Sequence, residues 1–244
     1  MPGSGIFRRY CSRESGYNLD LECLESQSPE TILRWALDRF HPHVAIAASF
    51  QDAVLLHMAS VIRPDVRIFS LDTGRLPEET YAFAEAVRTR LKVHIEWYFP
   101  QHDAVEALER GKGLYSFRES LAARKECCGI RKVEPLNRAL AGLKAWITGL
   151  RSEDGETRAD LKVVEEDGAH GGILKINPLA SWTTQDMESY IQKHRLPIHC
   201  LTEAGYPSIG CAPCTRAVEP GQPLRSGRWW WEDPEHKECG LHGR

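Results

Sequence analysis

The stretch HVAIAASFQDAVLLHMASVI (43–62) decides the fold. Its first part, 43–49, is short and almost wholly apolar, which is typical of a strand buried on both faces. A polar turn, SFQD (49–52), follows, and residues 53–62 then carry apolar side chains at helical spacing. A buried strand that leads through a polar turn into a helix is the first half of a β-α-β unit.

The same rhythm continues along the chain and predicts an α/β fold, a mostly parallel sheet with flanking helices. The other predicted strands are 66–72, 93–99 and 144–150, with two more exposed ones at 161–167 and 173–179, and the other predicted helices are 28–41, 77–91, 102–111 and 131–142. In such sheets ligands bind beyond the carboxyl ends of the strands. From about residue 196 Pro, Gly, Cys and Trp become dense, so we expect one α/β domain over 1–195 and an irregular Cys-rich extension over 196–244.

Composition limits the classes of function. The 244 residues are 42% hydrophobic, which is enough for a buried core without disulfides, and the net charge of −3 argues against a nucleic-acid partner. No apolar run approaches the roughly 20 residues that cross a bilayer, and the polar start MPGSGIFRRYCSRE is unlike a signal peptide. We therefore expect a cytoplasmic protein with no membrane partner; a homo-oligomer is compatible with the sequence.

Four of the eight cysteines form two pairs. Cys127 and Cys128 are adjacent in KECCGIRKVEPL, and Cys211 and Cys214 form a C-x-x-C pair in GYPSIGCAPCTR. Four thiolates bind zinc or an iron–sulfur cluster, and the missing spacer in the first pair favours a [4Fe-4S] cluster over a zinc ribbon, with free buried thiols as a third interpretation. The remaining thiols Cys11, Cys23 and Cys200 have no comparable partners and are interpreted as incidental.

The eighth cysteine, Cys239, lies in the terminal HKECGLHGR with Lys237, His236 and His242 nearby. Neighbouring cations favour a reactive thiolate, although Glu238 opposes them. A nucleophile on the tail and an exposed thiol without a task are both compatible with this spacing.

Three turns predicted at the ligand edge of the sheet carry groups that can hold an anion. They are Ser49-Phe50-Gln51-Asp52, Leu71-Asp72-Thr73-Gly74-Arg75 and Gly149-Leu150-Arg151. Each alone is compatible with ordinary turn chemistry, but three at one edge favour a binding site. Both cysteine pairs are also followed by cations, Arg131 and Lys132 after the first and Arg225 and Arg228 after the second.

Taken in order, these motifs resemble the assimilatory adenylyl-sulfate (APS) reductases, within the family of APS and phosphoadenylyl-sulfate (PAPS) reductases. The resemblance runs from about residue 44 to the end of the chain through SFQD, LDTGR, KECCGIRKVEPL, ITGLR, GYPSIGCAPCTR, GRWWWE and KECGLH. It implies a Rossmann-like, adenine nucleotide alpha hydrolase-like fold with nucleotide binding in 1–195. Phe50 and Gln51 replace two glycines of the related ATP-pyrophosphatase loop, which counts against ATP-driven adenylation.

The resemblance also implies a reaction. Cys239 matches the nucleophile that attacks the sulfur of APS, expels AMP and forms an S-sulfocysteine, from which thioredoxin releases sulfite. Cys127, Cys128, Cys211 and Cys214 match ligands of a [4Fe-4S] cluster with a structural and electrostatic role. Lys132 is expected between cluster and sulfate, and His242 matches a residue of a closing C-terminal peptide.

The substrate contacts that the resemblance implies fall on the three turns and on two later arginines. They are Ser49, Phe50, Gln51, Leu71, Asp72, Thr73, Gly74, Arg75, Gly149, Arg151, Arg225 and Arg228. At the third turn the family commonly shows a second basic residue and Asp-Gln-Ser, whereas this chain has Ser152-Glu153-Asp154.

Three alternatives stay open. A PAPS reductase would perform the same chemistry on a substrate with an added 3′-phosphate, but most such relatives lack the four cluster cysteines. An RNA-modifying sulfurtransferase should keep the glycine-rich ATP loop and a broad basic surface, neither of which the sequence contains. A zinc-stabilised binding module without catalysis would hold zinc on the four cysteines.

Overall fold

The computed structural model describes residues 21–155, 158–233 and 236–241. Six strands in these ranges form one sheet: β1 (Val44–Ala48), β2 (Arg67–Leu71), β3 (Glu96–Tyr98), β4 (Ala145–Ile147), β5 (Val164–Asp167) and β6 (Ile173–Ile176). The order across the sheet is β3-β2-β1-β4-β6-β5. All neighbours are parallel except β5, which pairs antiparallel with β6 at the edge.

The helices of the described ranges flank this sheet. They are α1 (Leu21–Leu24), α2 (Pro29–Phe40), α3 (Val54–Ile62), α4 (Glu78–Leu91), α5 (His102–Lys112), α6 (Leu121–Cys128), α7 (Glu134–Leu140), α8 (Thr184–His194) and α9 (Cys200–Glu203). A widened π-helical turn, Gly129–Val133, joins α6 to α7. The predicted mostly parallel α/β fold is confirmed.

Local chemistry explains where the elements begin. Ser28 caps α2 by accepting a hydrogen bond from the backbone N–H of Thr31, and Pro29 occupies the first turn, where its missing N–H costs nothing. The VAIAA of β1 contains no polar side chain, because parallel strands covered by helices are buried on both faces.

Two hydrophobic layers cover the faces of the sheet. The larger layer packs α2, α3 and α4 on one face, with Leu33, Ile46 and Met58 among its buried residues. The smaller one packs α7 on the other face through Leu136 against Trp146. Each helix thus buries one apolar stripe against the sheet.

Several elements differ from their sequence predictions. The helical region predicted at 131–142 is three pieces that begin at Leu121, because the two cysteines end α6 and the turn widens after them. Strand β4 stops at Ile147 instead of Leu150, opposite Ile176, where its partner strand β6 also ends. Helix α8 has no counterpart among the predictions, although Thr183 and Asp186 form a capping box at its start.

Residues 196–241 add no strand to the sheet within their described part; they form α9, a single-turn helix at Ala212–Cys214 and loops. Gln51 joins them to the α/β body, since its side chain donates to the carbonyl oxygen of Pro207 at 2.8 Å and accepts from the N–H of Ile209. None of the helices in the described ranges is long and apolar enough to cross a membrane.

Candidate functional site

The carboxyl ends of β1 and β4 open into a cavity of about 210 Å³. Strand β1 lies between β2 and β4, so the strand order reverses here, and open α/β sheets leave a crevice at such a point. Ten of the predicted catalytic and substrate-binding residues line the cavity. They are Ser49, Gln51, Leu71, Thr73, Lys132, Gly149, Arg151, Arg225, Arg228 and Cys239.

The loop after β1 forms one wall. Asp52 accepts from the N–H of Val54, the first residue of α3, at 2.9 Å, while burial raises the pKa of its carboxyl despite that bond. Phe50 does not line the cavity: it has a positive φ of 54°, is 1% exposed and stacks on Trp97 in the core. A side chain larger than glycine therefore fixes this loop to the core and leaves Ser49 and Gln51 to face the cavity.

The turn after β2 is held by Asp72. Its carboxylate accepts from the N–H of Gly74 at 2.7 Å and from the Tyr81 hydroxyl at 2.9 Å. Gly74 has a φ of 68°, a left-handed conformation that favours glycine. Neither Asp72 nor Gly74 lines the cavity, so both shape the turn from behind the cavity wall.

Arg75 also points away from the cavity. Its guanidinium pairs with Glu109, donates to the carbonyl oxygen of Leu114 at 2.7 Å and lies 5.0 Å above the ring of Phe117. Glu109 accepts from Arg131 as well, and this carboxylate therefore ties the turn after β2 to the residues that follow the adjacent cysteines.

The four cysteines of the two pairs, here named the cysteine group, share one buried cluster with Phe117 and Trp229. Cys127 and Cys128 are the last residues of α6; Cys211 immediately precedes the single turn at Ala212–Cys214, and Cys214 ends it. Two segments that are far apart in the sequence thus bring both pairs together, as their spacing predicts.

The electrostatics of the group are uneven. Burial raises the pKa of Cys128 to about 11 and that of Cys214 to about 12. Burial also acts to raise the pKa of Cys211, but Lys132, the Thr73 hydroxyl 3.2 Å away and Arg228 outweigh it, so that pKa is lowered. Burial likewise raises the pKa of Cys127, so Cys211 is the member of the group whose surroundings favour the thiolate.

No three sulfur atoms of the cysteine group lie within 4.8 Å of one another, a wider spacing than one tetrahedral metal ion requires. Among the described residues, one set of three or more His, Cys, Asp or Glu side chains has its ligand atoms within 4.8 Å of one another. That set is His102, Asp103 and Glu106 on the exposed face of α5, and it contains no cysteine. A tetrahedral Zn²⁺ with Zn–S distances near 2.3 Å would hold its sulfurs about 3.8 Å apart. The donor set of the cysteine group therefore fits a larger, thiolate-ligated group.

Buried nitrogen donors around the cysteine group lack partners among the described residues. They are the Nε1 of Trp229 and the Nε atoms of Arg131 and Arg228. Buried donors are rarely left without an acceptor, so these N–H groups fit an anionic group with acceptor atoms of its own.

The cavity itself is rich in cations. Its lining contains Lys132, Arg151, Arg158, Arg225 and Arg228, against three carboxylates, Asp52, Asp154 and Glu238. The net charge of the lining is therefore positive, as an anionic ligand requires.

Glu238 already engages two of these cations. Its carboxylate lies 3.4 Å from Arg158 and 3.3 Å from Arg225, and Arg225 also donates to the carbonyl oxygen of Lys237 at 2.6 Å. Burial, followed by repulsion from Arg158, lowers the pKa of Arg225 to about 10. This pair of guanidiniums holds the residue next to Cys239 through the protein's own contacts.

Arg228 and Lys132 lie between the cavity and the cysteine group. Arg228 is buried and donates to the Ser208 hydroxyl and the Ile209 carbonyl. Its guanidinium lies against Gly210, where a Cβ atom would come within 2.2 Å of it. Burial acts to lower the pKa of Lys132, but electrostatic attraction to the sulfurs of Cys211, Cys239 and Cys128 acts more strongly in the opposite direction, so the net shift is upward and the ammonium stays charged.

Cys239 is half-buried, lines the cavity and packs against the cysteine group. Predicted residue His242 and Cys11 lie outside the described residues, and Cys23 and Cys200 are exposed. Of the residues now seen to matter, the sequence motifs missed Arg158 and Glu109; Arg158 follows Arg151 by seven positions, but nothing local distinguishes it from a surface arginine. Glu238 lies in a motif, but its pairing with Arg158 and Arg225 was not among the predictions.

Comparison with known proteins identifies the family. The model of the phosphoadenosine phosphosulfate reductase domain matches residues 41–217. A protein named adenosine 5'-phosphosulfate reductase from Allochromatium vinosum is 50% identical over 200 residues, which cover 82% of this chain and 78% of the relative. The 5'-adenylylsulfate reductase 1 of Arabidopsis thaliana is 46% identical over 228 residues, covering 90% of this chain and 49% of the plant protein.

Comparison with solved structures supports the same family and fold. A phosphoadenylyl-sulfate reductase from Candida auris superposes with a TM-score of 0.69 at 28% identity, covering 85% of this chain and 99% of that one. An FMN adenylyltransferase from Candida glabrata, at 14% identity and a TM-score of 0.53, shares the fold alone. The chain therefore belongs to the family of adenylyl-sulfate and phosphoadenylyl-sulfate reductases.

Proposed function

We propose that this protein reduces APS to sulfite and AMP in sulfate assimilation, with Cys239 as nucleophile and thioredoxin as reductant. One observation carries the proposal: Cys239 lines a cavity of net positive charge and at the same time packs against the cysteine group. Relatives that are about half identical carry the name of this activity.

In the first step the thiolate sulfur of Cys239 attacks the sulfur of APS. A sulfur–sulfur bond forms, the bond between that sulfur and the phosphate oxygen of AMP breaks, and AMP leaves with the bonding electron pair. The enzyme is left with an S-sulfocysteine at residue 239.

In the second step a thiolate of reduced thioredoxin attacks the Sγ of Cys239. Sulfite departs with the electron pair of the sulfur–sulfur bond, and a mixed disulfide remains. The second thioredoxin thiol resolves it, so two thiols are oxidised to a disulfide and supply both electrons.

The cations of the cavity make the first step feasible. Two like unit charges 4 Å apart repel by about 4 kcal/mol at an effective dielectric constant of 20. Lys132, Arg225 and Arg228 would offset this repulsion between thiolate and sulfate, and Arg158 and Arg151 add to the same field. Electrostatic stabilisation of this kind commonly contributes more to the rate enhancement of an enzyme than any other single effect.

The wall contributed by the α/β body suits the nucleotide. Ser49, Gln51 and Leu71 line the cavity at the strand ends, with Thr73 and Gly149 beside them. In this proposal Phe50, Asp72, Gly74 and Arg75 act indirectly, by fixing the turns that carry the lining residues. The division predicted at residue 196 then separates a nucleotide-binding part from an extension that carries the C-x-x-C pair and the nucleophile.

We further propose that Cys127, Cys128, Cys211 and Cys214 hold a [4Fe-4S] cluster. The wide spacing of the sulfurs and the unpartnered donors beside them support a group larger than one metal ion. When bound, the cluster would supply fixed charge and rigidity beside the substrate. Iron and sulfide analysis with absorption near about 400 nm tests this assignment, and stoichiometric zinc in anaerobically purified protein would exclude it.

The activity is tested by mass spectrometry of the anaerobic protein mixed with APS alone. We expect a covalent gain of SO₃ on the peptide that carries Cys239, with release of one AMP. Absence of that adduct under single-turnover conditions would refute the nucleophile assignment and with it the proposed mechanism.

PAPS is the second candidate substrate, because the PAPS reductase structure covers most of this chain. We expect kcat/KM to be higher for APS. A strong preference for PAPS would overturn the choice of substrate and leave the role of Cys239 intact.

A further inference from the structure

Arg124, on α6, lies beneath the C-terminal segment that carries Cys239. We propose that Arg124 is a positioning residue that holds Cys239 in the cavity for attack, an inference that rests on the role of Cys239 proposed above. The residue belongs to none of the motifs that identify the family, and it does not line the cavity.

The Arg124 guanidinium donates to three groups of the C-terminal segment. Its Nε donates to both carboxylate oxygens of Glu232, at 2.7 and 3.0 Å. Its Nη1 donates to the carbonyl oxygen of Glu238 at 2.7 Å, and its Nη2 to that of His236 at 2.8 Å. The side chain is 0% exposed and its guanidinium lies 4.6 Å above the ring of Trp229.

The bond to residue 238 acts directly on the nucleophile. The carbonyl of Glu238 belongs to the peptide unit that also contains the backbone nitrogen of Cys239, and this unit is planar. Fixing that carbonyl oxygen therefore restricts where the Cα of Cys239 can lie. A charged donor in a buried site gives a strong and directional hydrogen bond.

Position on α6 makes the connection rigid. Arg124 lies one helical turn before Cys128, so both side chains project from the same face of the helix. One face of α6 thus carries both Cys128, a member of the cysteine group, and Arg124, which binds the C-terminal segment. This face therefore connects the cysteine group to the segment that carries Cys239.

The tail is also gripped from the cavity side, by the contacts of Arg158 and Arg225 with Glu238. An anionic substrate would compete for those two guanidiniums, because they line the cavity. Arg124 faces no such competition. Its hold persists when the substrate binds, at the moment when Cys239 must stay in the cavity.

The experiment measures alkylation of Cys239 by iodoacetamide in the resting protein, quantified on the peptide that carries it. In Arg124→Gln we expect alkylation about 10-fold faster than in the native protein, because the tail leaves its half-buried position more often. In the same variant we expect S-sulfonation by APS to slow about 10-fold while the affinity for AMP changes less than about 2-fold.

Arg88→Gln is the matched control. Arg88 pairs with Glu85 on the exposed surface of α4, so its loss removes an arginine–glutamate pair of similar chemistry far from the tail. We expect its alkylation and S-sulfonation rates to equal those of the native protein. If Arg124 had a purely structural role, its replacement would lower stability, and the S-sulfonation rate and the AMP affinity would fall together.

Glu232→Gln gives a second test that keeps the arginine in place. It weakens the ion pair and should raise the alkylation rate by a smaller factor. Unchanged alkylation in both variants overturns the proposal, and if Arg124→Gln does not fold, the Glu232→Gln result decides alone. Because alkylation requires no APS, these outcomes remain separate from failure of the proposed activity.

Discussion

The Nε of Arg158 lies 3.4 Å from a carboxylate oxygen of Glu238, the residue immediately before Cys239. The chain's own carboxylate thus pairs with two cations of the cavity, Arg158 and Arg225. Under the proposed function, Glu238 competes with the anionic substrate for these two guanidiniums.

Replacing Glu238 by glutamine should therefore strengthen nucleotide binding. The change keeps the shape of the side chain and removes one negative charge beside Arg158 and Arg225, so we expect the Kd of AMP to fall about 3- to 10-fold. Isothermal titration measures it. Glu166→Gln, a change on the edge strand β5, is the control, and equal affinities in all three proteins would contradict the prediction.

Cys239→Ser should abolish sulfite release and leave nucleotide binding nearly intact, because the hydroxyl is a far poorer nucleophile than the thiolate. Sulfite production and AMP titration are the two measurements. Cys200→Ser is the matched control, since Cys200 is an exposed thiol outside the cavity. Retained turnover in Cys239→Ser would mean that another group attacks the substrate.

Lys132→Ala should lower kcat/KM by about 10²- to 10³-fold with iron content unchanged, because the charge between thiolates and substrate is lost. Lys125→Ala removes the same charge from the exposed side of α6 and should have little effect. Loss of iron from the Lys132 variant would assign that lysine to assembly of the site instead of to catalysis.

The capping box of α8 gives a prediction about stability. Thr183→Ala removes the hydroxyl that accepts from the N–H of Asp186 at 3.1 Å, which typically costs about 1 kcal/mol. For a chain of this size we expect Tm to fall by about 2–4 °C. Thr89→Ala, near the end of α4, is the control, and an equal shift in both variants would argue against capping.

His57 gives a prediction about pH. Its Nδ1 lies 2.9 Å from the Tyr190 hydroxyl, and burial, followed by repulsion from His194 and Arg90, lowers its pKa below 6.5. A histidine with a lowered pKa contributes stability that is fully present above 6.5 and is lost as the pH falls toward the lowered value.

The native protein should accordingly lose Tm more steeply than His57→Gln as the pH falls from about 6.5 to about 5. Scanning calorimetry across that interval measures the difference. His43→Gln, which removes an exposed histidine, should follow the native curve. Parallel curves for all three proteins would show that His57 does not contribute to the slope.

The fold can be predicted from local sequence patterns, but the residues that line the cavity can be predicted only in part. The apolar run of β1 and the polar turn after it place Ser49 and Gln51 at the ligand edge, and the paired spacing of the cysteines brings four thiols together. The strand with its turn, and each cysteine pair by itself, lie within a few residues, so the sequence alone reveals them.

Contacts between residues far apart along the chain could not be predicted from the sequence. Arg124 meets Glu232 and the carbonyl of residue 238 at separations of 108 and 114 residues, and Arg158 meets Glu238 at 80. A motif also leaves the direction of a long side chain open. Arg75 lies in a turn at the ligand edge, as its motif suggests, and yet its guanidinium turns to Glu109.

The stacking of Phe50 on Trp97 has a thermodynamic consequence. A glycine-rich loop would be mobile without a ligand and would lose that freedom on binding, whereas an aromatic anchor removes it when the chain folds. The turn that carries Ser49 and Gln51 is therefore fixed to the core before any ligand binds. Affinity for a small ligand with a single nucleotide phosphate then depends less on ordering the protein and more on charge.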